Sequence, residues 1–203
     1  MTSVVFNGQA VQPRKVVCVG KNYAAHIEEM ASVPAENMVV FMKPATSIGN
    51  ELFAELDEPL HYESEICLLM QRGRVAGVGF GLDLTKRETQ AKLKAAGLPW
   101  ERSKAFTGSA IFSEFVNAPD TLTQLGVELR VDDTLRQKGD VSLMIYPPDV
   151  ILAELHHFLV LEDFDIVMTG TPAGVGAVRA GERFHGRVLD GERELVSGAW
   201  VAQ

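Results

Sequence analysis

His61-Tyr62-Glu63-Ser64-Glu65-Ile66-Cys67-Leu68-Leu69-Met70 is the stretch on which the fold turns. From Ile66 onward every position is apolar, so both alternating faces are apolar. That pattern belongs to a strand covered on both sides. Period-2 geometry puts His61, Glu63, Glu65, Cys67 and Leu69 on one face. Two carboxylates then point the same way at the entrance to a core. Unpaired buried charge is costly, and two like charges side by side are worse. A cation is needed there, and a hard divalent metal ion is the simplest candidate. Solvated acids on an edge strand are the other reading, but the flanking residues are too apolar for one.

Working outward from that run, Arg72-Gly73-Arg74 reads as a tight turn, and residues 75–82 return as a Gly-rich strand that delivers Asp83. Upstream, residues 15–19 read as a buried strand ending at Gly20. Asn22 suits a helix N-cap, with residues 23–30 as one or two helical turns that Pro34 interrupts. Residues 38–42 are another apolar strand, ended by Lys43-Pro44. Downstream, Thr85-Lys86-Arg87-Glu88 fits a capping box for a helix over about 86–96, and Gly97 with Pro99 fits its stop. Residues 127–131 and 135–137 flank Asp132-Asp133 as a hairpin. Pro148-Asp149 starts a further helix with Ile151, Leu152, Leu155, Phe158 and Leu159 at the helical period. Residues 166–168 form a strand leading into the Gly-rich loop 169–176, and 183–201 alternates like two or more strands. Strands outnumber helices without alternating strictly with them, which argues against a doubly wound sheet.

With 203 residues, one domain is expected. A formal net charge of −8 argues against a nucleic-acid surface and leaves room for a bound cation. No apolar run reaches bilayer length and the N-terminus lacks a signal pattern, so no membrane partner and a cytoplasmic location are expected. Cys18 and Cys67 lie in apolar strand-like runs and read as packed thiols.

Asp83 is the natural third ligand to join Glu63 and Glu65. An all-oxygen set selects magnesium, manganese or calcium over zinc, and leaves positions for water or substrate. Arg87, Gln90 and Lys94 share a face of the following helix, with Lys104 beyond it, and together could bind a carboxylate or oxo group. His26 and Glu29, three apart on the short N-terminal helix, could touch and act as a general base on water. His156 and His157 read as structural or surface residues. The loop 169–176 lacks a complete phosphate or dinucleotide motif but could offer N–H groups and a hydroxyl to an anion.

In order, Val19-Gly20-Lys21-Asn22-Tyr23-Ala24-Ala25-His26, Phe41-Met42-Lys43-Pro44, His61-Tyr62-Glu63-Ser64-Glu65, Leu82-Asp83-Leu84-Thr85-Lys86-Arg87, Gly97-Leu98-Pro99-Trp100, Lys104-Ala105-Phe106 and Thr169-Gly170-Thr171-Pro172 resemble the fumarylacetoacetate hydrolase family. Any one motif is modest, but the ordered set is specific and runs from about Lys15 onward. The length resembles the short, single-domain branch, whose members act on acylpyruvates and oxaloacetate. The resemblance implies an α+β, mostly β chain, a mixed β-sandwich roll with a few flanking helices, assembled as a homodimer. It implies Mg2+ or Mn2+, with Ca2+ as a substitute, on Glu63, Glu65 and Asp83. It implies catalytic roles for His26, Glu29 and Lys104, and substrate contacts from Lys43, Arg87, Gln90, Gly170 and Thr171. The implied partner is a small 2-oxo acid.

Two departures from the family pattern concern the pocket rim: the connection from Glu65 to Asp83 is short, and the stretch 43–63 is trimmed. A third is Phe164, which stands where a Gly commonly precedes Asp165. The leading function is metal-dependent hydrolysis of a C–C bond in acylpyruvates, decarboxylation of oxaloacetate, or both, through a stabilised pyruvate enolate. The alternatives are an isomerase or decarboxylase of unsaturated 2-oxo diacids from aromatic breakdown, a fumarylpyruvate hydrolase, a non-catalytic metal-binding protein and, weakest, a nucleotide-binding one.

Overall fold

In the computed structural model, which describes residues 2–31, 33 and 35–203, the decisive run folds as two strands rather than one. β6 (Leu60–Tyr62) and β7 (Ser64–Gln71) are separated at Glu63. The chain changes sheets there. β6 pairs with β9 (Thr85–Lys86) and β15 (Gly176–Ala177), whereas β7 enters the principal sheet. Pro34, expected to interrupt the first helix, lies outside the described residues.

The principal sheet runs in the order β4 (Val39–Pro44), β3 (Lys15–Gly20), β14 (Ile166–Met168), β7, β8 (Arg74–Asp83), β10 (Ala110–Phe112) and β5 (Ile48–Gly49), with β11 (Val116–Asn117) also on β8. It is mixed, because β14 runs parallel to β3 and β10 parallel to β5. β7 and β8 are joined by Arg72 and Gly73 at φ 53° and 73°, the left-handed pair that lets a two-residue hairpin follow the strand twist.

A second antiparallel sheet, β13 (Thr134–Asp140), β12 (Leu125–Val131), β16 (Arg183–Asp190) and β17 (Arg193–Val201), packs against the principal one. Ile66, Leu68 and Met70 of β7 meet Val127, Leu129, Phe184 and Val188 in the core between them. The other face of β7 carries Cys67 and Leu69 into a smaller cluster with Cys18, Ile166 and Met168. Both thiols are free and buried, as expected, and burial pushes both well above the ordinary range. The sheets approach so closely that a Cβ on Gly186 would sit 2.1 Å from the Phe80 ring. β1 (Val4–Phe6) and β2 (Gln9–Val11) form a separate hairpin. With 44% of residues in strands and 17% in helices, the chain is the mostly β, α+β roll expected.

The helices are α1 (Ala24–Glu29), α2 (Arg87–Ala95), α3 (Glu101–Lys104) and α4 (Pro148–His156). Three expectations about them need correction. Asn22 does not cap α1. Its amide donates to the carbonyls of Tyr146 and Thr169 at 2.9 and 2.8 Å and accepts from the Tyr146 N–H at 2.7 Å, tying two loops together. Thr85 does not cap α2 either, because it is a strand residue of β9. The Glu58 carboxylate takes the N–H groups of Glu88 and Thr89 at 3.0 and 3.1 Å instead. α4 buries Ile151 and Leu155 but ends before Phe158, which is exposed. Among the described residues no helix is long and apolar enough to cross a membrane.

Phe164 adopts φ +70°. A left-handed backbone favours glycine, so this chain carries strain at the position where its sequence departs from the family pattern.

Candidate active site

The β7–β8 hairpin builds the acidic cluster by register. Ser64 pairs with Leu82 and Glu65 with Gly81, and the Asp83 N–H donates to the Glu63 carbonyl at 2.8 Å. A bulge between Leu69 and Met70 shifts the pairing by one residue. Without it Asp83 would turn to the opposite face. As built, ligand oxygens of Glu63, Glu65 and Asp83 lie within 4.8 Å of one another, and all three residues are buried.

Their electrostatics differ. Glu63 receives Arg87 Nη2 at 2.5 Å and Lys104 Nζ at 2.8 Å. Burial works to raise its carboxyl, but the charges of Lys104, Arg87 and His26 outweigh it and hold Glu63 well below the carboxylate range. Asp83 has Lys104 Nζ at 2.6 Å and Lys43 Nζ at 2.8 Å. Glu65 accepts one N–H, from Gly170, at 2.6 Å, and has no ion-pair partner among the described residues. Burial, with the charge of Asp83 beside it, pushes Glu65 well above the usual range. Lys104 also donates to Thr85 Oγ1 at 2.7 Å; burial opposes its charge, but Asp83 and Glu63 prevail and raise it. Hard oxygen donors, clustered and buried, with one carboxylate lacking a cation, fit a divalent metal ion.

Around this cluster the expected site residues take different places. His26 Nδ1 lies 3.3 Å from Glu29 Oε2, and the other Glu29 oxygen accepts the Gly174 N–H at 3.0 Å. Gly174 has φ +102°, and a Cβ there would fall 1.9 Å from the Arg136 carbonyl oxygen, so only glycine can offer this N–H. Arg87 Nη1 donates to Gln90 Oε1 at 2.8 Å, which joins the first turn of α2 to Glu63. His26, Arg87, Gln90, Lys104 and Thr171 all line the pocket over the carboxylates.

Two expected substrate contacts are placed elsewhere. Lys43 is wholly buried behind the pocket, where its ammonium meets Asp83 and the carbonyls of Lys104 and Ser109. Gly170 directs its N–H inward to Glu65. Both donate to the carboxylates of the cluster. His156 and His157 are surface residues, as expected.

Sequence reasoning missed Gln137. It is 1% exposed, donates to Thr171 Oγ1 at 2.8 Å and to the Pro172 carbonyl at 2.7 Å, and accepts from Ser64 N–H at 2.9 Å. It pins the Gly-rich loop to the start of β7. A polar residue at an inward position of an alternating strand was the available signal.

Residues 15–197 match the family model for the C-terminal domain of fumarylacetoacetate hydrolase. The chain belongs to the fumarylacetoacetate hydrolase family. An oxaloacetate tautomerase of Escherichia coli is 38% identical over an alignment covering 83% of this chain and 85% of the relative. A mitochondrial oxaloacetate tautomerase of Bos taurus is also 38% identical, covering 82% and 83%. Among solved structures, fumarylpyruvate hydrolase from Pseudomonas aeruginosa in complex with Mn2+ and pyruvate superposes with a TM-score of 0.86 at 33% identity, over 99% of this chain and 96% of that one. The fumarylacetoacetate hydrolase family thus accounts for the whole ordered set of motifs from Lys15 on.

Proposed function

We propose that this chain is a divalent-metal-dependent enzyme of small 2-oxo acids that makes and uses the enol form, with oxaloacetate as its first substrate. One observation carries the reading: a buried trio of carboxylates, one without a cation among the described residues, sits beside the arginine and lysine that line the same pocket. Glu63, Glu65 and Asp83 would hold Mg2+ or Mn2+, which supplies Lewis-acid stabilisation of negative charge on the 2-oxo oxygen. Arg87 and Gln90, at the N-terminal turn of α2, take the substrate carboxylate, and Lys104 adds positive charge beside the oxo group.

His26 moves the proton. Its Nδ1 is held by Glu29, which leaves Nε2 to take the C3 proton of the keto acid as the electron pair closes the C2–C3 double bond. Return of a proton to the 2-oxo oxygen completes the enol, and the reverse order regenerates the keto form. The same pair can instead activate water, so C–C hydrolysis of acylpyruvates to pyruvate and a carboxylic acid is the second reading. The His26–Glu29 contact favours it, and the naming of the tautomerase relatives favours the first. The 203 residues are read as one catalytic domain, paired as a homodimer.

The test follows the decay of enol-oxaloacetate by its absorbance, with Mg2+ or Mn2+, alongside pyruvate release from acetylpyruvate, fumarylpyruvate and oxaloacetate. Metal-dependent enol decay that falls about 10²–10⁴-fold in His26→Ala supports the proposal. Rates no faster than the metal ion alone on every substrate would sink it.

A further inference from the structure

Lys21, Arg87, Lys94 and Lys104 line the pocket. Three of them already bond oxygens of the protein. Lys21 donates to the Val33 carbonyl at 2.8 Å, Arg87 pairs with Glu63 and Gln90, and Lys104 pairs with Glu63 and Asp83. Lys94 differs. Its ammonium stands 4.9 Å over the Trp100 ring and, among the described residues, has no carboxylate or carbonyl partner.

Its position on α2 gives that cation a use. Arg87, Gln90 and Lys94 lie at i, i+3 and i+7 on one face, so Lys94 is about 10 Å further along the helix axis than Arg87. Arg87 marks the inner end at the carboxylate cluster, and Lys94 the outer end. Side chains on a helix lean toward its N-terminus, which brings the Lys94 ammonium back over the pocket and onto Trp100. The indole face steadies the ammonium without neutralising it.

We infer that Lys94 is the specificity-determining anchor for the second, far carboxylate of a diacid substrate, while Arg87 and the carboxylate cluster handle the 2-oxo acid head. The inference rests on the 2-oxo acid reading and sharpens it to diacids. Partial burial, with the charges of Arg87, Lys104 and Lys21 added against the pull of Glu63, holds the Lys94 ammonium down at about 8. A cation so disfavoured gains most when an anion docks beside it.

The experiment compares Lys94→Met and Lys94→Arg with the wild type, measuring KM for oxaloacetate and competitive inhibition by pyruvate, which shares the 2-oxo acid head and lacks the far carboxylate. Losing one charge-assisted hydrogen bond raises the ratio of oxaloacetate KM to pyruvate Ki about tenfold or more in Lys94→Met. Lys94→Arg keeps the ratio within about threefold of wild type, since the charge is retained. Lys94 has no hydrogen-bond or ion-pair partner among the described residues for either variant to lose, and an unchanged Tm checks that both fold. An unchanged ratio in Lys94→Met, or equal shifts in both constants, overturns the inference and leaves the 2-oxo acid reading standing. A wild type active on acetylpyruvate but not on oxaloacetate overturns the inference alone, and one inactive on every 2-oxo acid tried overturns both.

Discussion

Glu63 and Glu65 begin from the same chemistry, and their neighbours separate them. Glu63 is held ionised by two cations, whereas Glu65 has an N–H and, among the described residues, no cation. That two acids in an apolar run needed a counter-charge was legible in the sequence. Which of them lacked one was not, because Arg87, Lys104 and Gly170 arrive from distant segments. The same cause turns Lys43 and Gly170 toward the carboxylates. A motif says that a residue belongs to the site, but only packing says whether its donor faces the ligand or the wall behind it. Gly174→Ala tests the residue scale. The collision with the Arg136 carbonyl and the left-handed backbone should cost on the order of 3 kcal/mol in urea denaturation. Because relieving that collision displaces the N–H that Glu29 accepts, activity should fall by more than the loss of folded protein explains.

At the scale of elements, the β7–β8 hairpin was readable from Arg72-Gly73 and from the apolar runs on either side. The break at Glu63 was not, since a strand's change of sheets depends on partners remote in sequence. The extent of α2 was readable from its flanking residues, whereas the end of α4 and both caps were not. Thr85 and Asn22 have the right chemistry for capping, but the fold gives both other partners, and Glu58, 30 residues before Glu88 in the first turn of α2, does the capping. Glu58→Ala should therefore cost about 1 kcal/mol, read from the denaturation midpoint. It should also raise KM, because the frayed turn carries Arg87 and Gln90. A variant with wild-type KM and stability would show that this cap has no bearing on the pocket.

For the whole molecule, the ordered motifs specified a mixed β-roll, and two sheets packed through Phe80, Phe184 and their neighbours provide it. The second sheet adds a buried acid far from the pocket. Burial works to raise Glu128, but Lys138 and Arg187 outweigh it and lower it. A carboxyl lower in the folded state than in the unfolded chain stabilises above the unfolded value, about 4.3, and loses that contribution as pH falls through the folded one. The Tm advantage of wild type over Glu128→Gln, largest at pH 7, should shrink steadily toward pH 3. A constant difference would remove Glu128 from the acid response. The central claim is that three buried carboxylates hold a divalent cation for chemistry on a 2-oxo acid. Oxaloacetate turnover, measured after chelation and again with Mg2+ or Mn2+ restored, tests it most directly in wild type and Glu65→Gln. Turnover should vanish on chelation, return with metal in the wild type, and stay absent in Glu65→Gln. Activity that survives both chelation and the substitution contradicts the account.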